Sequence, residues 1–174
     1  DGHLWLSSVM AGIWRPAAFD DVPALRALIE QSVMRLQAGD YSEAQGRAAL
    51  GTVFGIDTAL LRDGTYFVIE IEGVIAACGG WSYRRTLYGA DAVAGKDDAR
   101  LDPAVDAARI RAFFVRPGYE RRGLGRRLLD ACEAAARAAG FTGAEMGATL
   151  TGAALYAACG YAPIAETAAA LPGG

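Results

Sequence analysis

The chain has 174 residues, 53% of them hydrophobic and 21% charged, with 17 Lys and Arg against 20 Asp and Glu for a formal charge of −3. A single domain of this length buries about 70% of the surface its unfolded chain exposes, so it needs neither metal nor disulfide to fold. No apolar run reaches the ~18 residues of a membrane helix, and residues 4–14 lack a basic flank, which sets aside a membrane span and a secretory signal and predicts a cytoplasmic protein.

In chain order, a short strand is expected at residues 13–15, after an N-terminal extension over residues 1–12. A loop follows to Asp20 or Asp21, and Pro23 sits near the first turn of a helix whose apolar face is Leu25, Leu28, Ile29, Val33 and Leu36. Gly39-Asp40 ends that helix, and Ser42 with Gln45 makes a capping box for a weaker one over residues 42–50. After the turn signal Arg62-Asp63-Gly64, two β-branched and aromatic runs, 65–70 and 74–81, flank Glu72-Gly73 and predict a β-hairpin. Residues 84–107 lapse into Gly, Asp and Ala and are expected to form a long surface insertion. A strand at 109–115 then leads through Pro117-Gly118 into a helix over 124–139. Leu124, Leu128, Cys132, Ala135 and Ala139 stripe one face of that helix, and Gly140 stops it. A strand at 142–148, a short helix at 152–159 and a last strand at 161–166 complete a mixed α/β order in one domain spanning residues 1–174.

Several chemistries lack their residues. Cys78, Cys132 and Cys159 are odd in number and widely spaced, which fits neither a disulfide framework nor a zinc knot. His3 is the only histidine, so histidine triads and histidine metal sites are set aside and no metal is expected. Seven arginines lie between residues 109 and 127. The acidic net charge, a single lysine (Lys96) and the lack of a recognition motif nevertheless argue against nucleic-acid binding.

The segment that carries chemistry is the strand, loop and helix start from Phe113 to Leu129. A helix N-terminus presents unpaired N–H groups and about half a positive charge, and glycines let an anion approach the backbone. Arg121, Arg122, Arg126 and Arg127 crowd that positive end, where cations are unfavourable unless an anion offsets them; the plain alternative is a solvated basic first turn. A Walker loop needs Gly-Lys-Ser/Thr, which is absent, and a dinucleotide fingerprint needs a third glycine where Leu128 stands.

The ordered set Val115-Arg116-Pro117, Arg122-Gly123-Leu124-Gly125, Leu128-Leu129, Ala148-Thr149-Leu150, Leu155-Tyr156 and Gly160-Tyr161 resembles the GNAT N-acetyltransferase superfamily over residues 13–166. The resemblance implies a mostly antiparallel mixed sheet flanked by helices and splayed between its fourth and fifth strands. It implies acetyl-coenzyme A as co-substrate. The pyrophosphate would rest on the backbone of Arg121, Arg122, Gly123, Leu124, Gly125 and Arg126, with Gly123 and Gly125 permitting close approach. Phe113, Phe114 and Val115 would pair with the pantetheine arm and polarise the thioester carbonyl, and Tyr156 would protonate the departing thiolate. Tyr41, Trp81, Tyr83 and Arg85 are candidates for the acceptor wall.

The expected activity is acetyl transfer to a primary amine of a small molecule or peptide by direct attack in a ternary complex. The alternative is a non-catalytic acyl-coenzyme A binding or regulatory module. Two departures stand out. Glu120 replaces the Gln or Arg that usually opens the family loop, and the strand at 109–115 lacks the glutamate base that many members carry. Glu70, Asp57 and Glu145 remain candidates for the base by chemistry alone. The C-terminus shows little strand pattern, which predicts that a final strand is missing or comes from a second copy in a homodimer.

Overall fold

The computed structural model describes residues 12–35, 42–50, 54–91, 93, 96–148 and 152–164. Strand β1 (Ile13–Pro16) leads through a 3-10 turn at Phe19–Asp21 into α1 (Val22–Arg35), which is followed by α2 (Glu43–Ala49) and α3 (Thr58–Asp63). Strands β2 (Tyr66–Ile71), β3 (Val74–Ser82) and β4 (Ala108–Val115) come next, and then α4 (Leu124–Ala138), β5 (Ala144–Glu145) and α5 (Ala153–Ala158). The five strands form one sheet in sequential order, antiparallel except for the parallel β4–β5 pair. Among the described residues, no helix is long and apolar enough to cross a membrane.

Local chemistry accounts for most boundaries. Ser42 caps α2 by accepting from Gln45 N–H at 3.1 Å while Gln45 Oε1 accepts from Ser42 N–H at 2.9 Å, as the capping box predicts. The β2–β3 hairpin turns on Glu72 and Gly73, both with positive φ, the requirement of a type I′ turn. Helix α3 is absent from the sequence expectation, although Asp57 caps its start and Gly64, with φ +72, ends it. At six residues it is too short for its periodicity to stand out.

Alternation along the strands builds a core on each face of the sheet. Tyr66, Val68, Cys78 and Phe114 pack with Leu25, Leu28, Ile29 and Val33 of α1. Phe67, Ile69, Trp81 and Ile110 pack with Leu124, Leu128, Leu129 and Cys132 of α4 on the other side. Strand β4 breaks this alternation. Ile110 and Phe113 both pack on the α4 side, three residues apart, while Arg111, Ala112 and Phe114 fall on the α1 side. The cause is a bulge at Ala112, whose φ of +56 costs a non-glycine residue roughly 1–2 kcal/mol.

Other expectations are corrected. The strand predicted at 142–148 is only Ala144–Glu145, and residues 161–164 run without strand pairing. The signals at Leu36, Gly39 and Asp40 and residues 165–174 lie outside the described residues. Segment 84–107 folds back on itself: Arg85 N–H bonds to Ala99 O and Thr86 N–H to Asp97 O, both at 2.9 Å, and Ala90 and Leu101 are buried.

Candidate functional site

The two ends of β4 meet β5 differently. Ala108 and Arg109 pair with Ala144 and Glu145, and the Arg109 guanidinium is ion-paired with Glu145. Beyond Arg109 the strands part, and among the described residues β4 has no strand partner on that side. Arg116 N–H bonds to Ala76 O of β3 at 2.8 Å, so strand alternation turns the amides of Val115 and Phe113 toward the open side. This is the opening expected between the fourth and fifth strands.

The strand ends at a loop whose geometry suits an anion. Gly118, Arg121 and Gly123 all have positive φ, a backbone pattern that gathers amides into concavities. Gly123 is the N-cap of α4, and the first amide bond back into the helix is Arg127 N–H to Gly123 O at 3.1 Å. The amides of Leu124, Gly125 and Arg126 therefore point out of the helix end. A side chain at Gly123 would meet nothing within 4 Å, leaving its backbone open to approach. Arg122 lies over the Tyr119 ring, 4.9 Å from its centroid, while Arg126 bonds to Ala158 O at 3.3 Å. Glu120 turns on the loop itself, accepting from Gly118 N–H at 2.6 Å. Its own amide and that of Gly118 hold its carboxyl below the usual range.

Gly125 has another use than the sequence suggests. A Cβ there would lie 2.8 Å from Leu155 Cδ2 of α5, so this glycine lets α5 close on α4. That closure brings Tyr156 to β4, its ring 6.2 Å from that of Phe113 and 6.1 Å from that of Tyr161. Burial, with the nearby Cys132 and Cys159 thiols adding to it, pushes the Tyr156 phenol above its ordinary range. Among the described residues its hydroxyl makes no hydrogen bond. Contacts of Gly125 with Leu155 and of Tyr156 with Phe113 thus tie the α4 N-terminus, α5 and β4 together. Phe114 instead points into the α1 core, its ring 6.3 Å from that of Phe54, and its backbone faces Cys78 of β3.

The described acceptor-wall candidates lie in different surroundings. Trp81 is 5% exposed and packs with Tyr83 and Phe141 in the core. Tyr83 sits between the guanidiniums of Arg84 and Arg100, at 5.2 and 4.8 Å. Arg85 is exposed, and Tyr41 lies outside the described residues. The three carboxylates considered as bases are each bound to cations. Asp57 Oδ2 is 2.9 Å from Arg111 and 3.1 Å from Lys96, Glu70 is 3.1 Å from Arg15, and Glu145 holds Arg109. Of the seven arginines, Arg109 and Arg111 pair with carboxylates, while Arg116, Arg122, Arg126 and Arg127 donate to main-chain carbonyls.

The acetyltransferase (GNAT) family profile matches residues 30–161. The chain belongs to the GNAT acetyltransferase family. A sequence comparison with curated proteins gives no match. Among solved structures it is similar to a GCN5-related N-acetyltransferase from Rhodopseudomonas palustris, with 23% identity, a TM-score of 0.68, and coverage of 94% of this chain and 89% of that one. It is also similar to a GCN5-related N-acetyltransferase from Ralstonia eutropha JMP134, with 23% identity, a TM-score of 0.58, and coverage of 92% and 99%. A GNAT family acetyltransferase from Brucella melitensis, solved with acetyl-CoA, has 16% identity, a TM-score of 0.55, and coverage of 87% and 82%. At these identities the likeness establishes the fold. The end of β4 and the α4 N-terminus hold two of the sequence pieces that carry the family resemblance, Val115-Arg116-Pro117 and Arg122-Gly123-Leu124-Gly125.

Proposed function

We propose that this protein moves the acetyl group of acetyl-coenzyme A to a primary amine of a small molecule or peptide by direct attack in a ternary complex. The observation that carries this reading is the position of Tyr156, a protonated phenol without a hydrogen-bond partner among the described residues, at the open side of β4 beside Phe113. The residues present suit the co-substrate. The amides of Leu124, Gly125 and Arg126 and the uncovered backbone of Gly123 would hold its pyrophosphate, with Arg121 and Arg122 adding charge. The outward amide of Val115 would pair with its pantetheine arm. The co-substrate supplies an activated thioester.

The chain then contributes two things. The Phe113 amide stabilises negative charge developing on the carbonyl oxygen, and the Tyr156 hydroxyl gives its proton to the departing thiolate. Asp57, Glu70 and Glu145 are held by cations, so the amine loses its proton to water or arrives neutral. The same observation favours a second reading, in which the module binds acyl-coenzyme A without turning it over.

Calorimetry with acetyl-CoA, followed by thiol release with a panel of amino acids, aminoglycosides, polyamines and peptide N-termini, separates these readings. Binding with release supports the enzyme, and tight binding without release supports the module. Gly123→Asp tests the site itself. Aspartate tolerates a left-handed backbone and has open space around Cβ, so the variant should fold. Its carboxylate should weaken acetyl-CoA binding by about 100-fold, the equivalent of losing two charge-assisted hydrogen bonds. Wild-type affinity in the folded variant would remove the α4 N-terminus from the site.

A further inference from the structure

Two glycines in succession, Gly79 and Gly80, sit in the middle of β3, where a strand ordinarily carries packing side chains. Each makes room for an aromatic ring, one on each face of the sheet. A Cβ at Gly79 would lie 2.5 Å from the Phe113 ring, which crosses from β4 on the α4 side. A Cβ at Gly80 would lie 2.5 Å from Thr65 O and 2.8 Å from Cδ2 of Tyr66, its register partner on β2. Tyr66 is 1% exposed, and its ring crosses β3 on the α1 side. The hydroxyl ends at β4, where it donates to the carbonyl of Ala112 at 2.9 Å.

Ala112 is the bulged residue with φ +56. A bulge takes a residue out of the ladder and leaves its polar groups to find other partners, and alanine has no intrinsic preference for the left-handed region. Something outside β4 has to hold it there, and the Tyr66 hydroxyl is in place to do so. The bulge in turn sets which way the following residues face. Without it, Phe113 would lie on the α1 side and its ring would not reach Tyr156.

We propose that Tyr66 is a positioning residue for the acyl-coenzyme A site: from β2, across the gap left by Gly80, its hydroxyl pins the Ala112 bulge and so fixes Phe113 and its amide on the open side of β4. This inference rests on the acyl-coenzyme A reading above, and the wild-type measurement tells the two apart. If wild type binds acetyl-CoA and the variants below behave like it, the positioning role falls and the functional reading stands. If wild type fails to bind, both fall.

Tyr66→Phe keeps the ring and removes only the donor. Calorimetric affinity for acetyl-CoA should fall by about tenfold, the scale of one lost hydrogen bond, and amide exchange at residues 113–115 should quicken. Ala112→Gly accepts the left-handed backbone without a clamp, so Tyr66→Phe/Ala112→Gly should recover affinity to within about threefold of wild type. A hydroxyl that merely stabilises the core would lower the melting temperature and leave affinity unmoved, and the glycine would restore nothing. Should Tyr66→Phe not fold, Ala112→Val keeps the tyrosine and disfavours the bulge through its β-branched side chain. It should weaken acetyl-CoA binding by the same factor, and wild-type affinity there overturns the proposal.

Discussion

Strand β4 has two halves of opposite character. From Ala108 to Arg111 the strand is tied down: β5 pairs with the backbone of Ala108 and Arg109, Glu145 with the Arg109 guanidinium, and Asp57 with Arg111, whose guanidinium also donates to the carbonyls of Gly89 and Thr86. From Ala112 to Val115 the strand is bulged, open on one side and lined by the rings of Phe113 and Tyr156. The first half locks helix α3 and the 84–107 segment to the sheet. The second presents backbone and a phenol to whatever enters. Charge in this strand therefore marks structure, and the apolar run open on one side is where the proposed site lies, against the intuition that arginines announce function.

Three substitutions probe that contrast. The largest effect is expected at the open half. Tyr156→Phe preserves the ring contact with Phe113, so acetyl-CoA affinity should hold while kcat falls by roughly 10²- to 10⁴-fold, the range for losing a positioned acid. Measured with the best amine from the acceptor panel, a kcat within threefold of wild type would leave solvent as the acid.

The locked half should respond in stability instead. Asp57→Asn keeps the helix cap but strands Arg111, 3% exposed at its side chain, and Lys96, at 14%. Leaving buried cations uncompensated should cost about 3–5 kcal/mol in urea unfolding, with acetyl-CoA affinity of the folded protein unchanged. A loss under about 1 kcal/mol would mean the triad is no lock.

The smallest effect joins the halves. Gly79→Ala drives a methyl into the Phe113 ring and should cost about 1–3 kcal/mol, with some loss of coenzyme affinity as the ring shifts. Adding Phe113→Ala should return part of that stability. A double mutant no more stable than Gly79→Ala alone would show that the ring is not what the glycine accommodates.

Much of this was legible in the chain. The capping box at Ser42, the Glu72-Gly73 turn, the striped helix from Leu124 and the glycine loop before it are local signals, set by hydrogen bonds and φ preferences within a few residues. Other features were open to a closer reading. Asp57 and Gly64 bracket α3 with cap residues, and Gly79-Gly80 within a strand signals close approach of another group. Trp81, a candidate for the acceptor wall, is core because strand alternation turns it inward with Ile110.

The sequence by itself determined most of the helices and the hairpin and the loop that can face an anion, because each depends on near neighbours along the chain. Tertiary structure alone decided that Gly125 serves the packing of Leu155, that Asp57 balances two cations from distant segments, and that a hydroxyl on β2 holds a bulge on β4. These contacts join residues 30 to 54 positions apart, and the partner of a buried charge or a bulged carbonyl is chosen by which strands and helices pack together, a choice no local preference encodes.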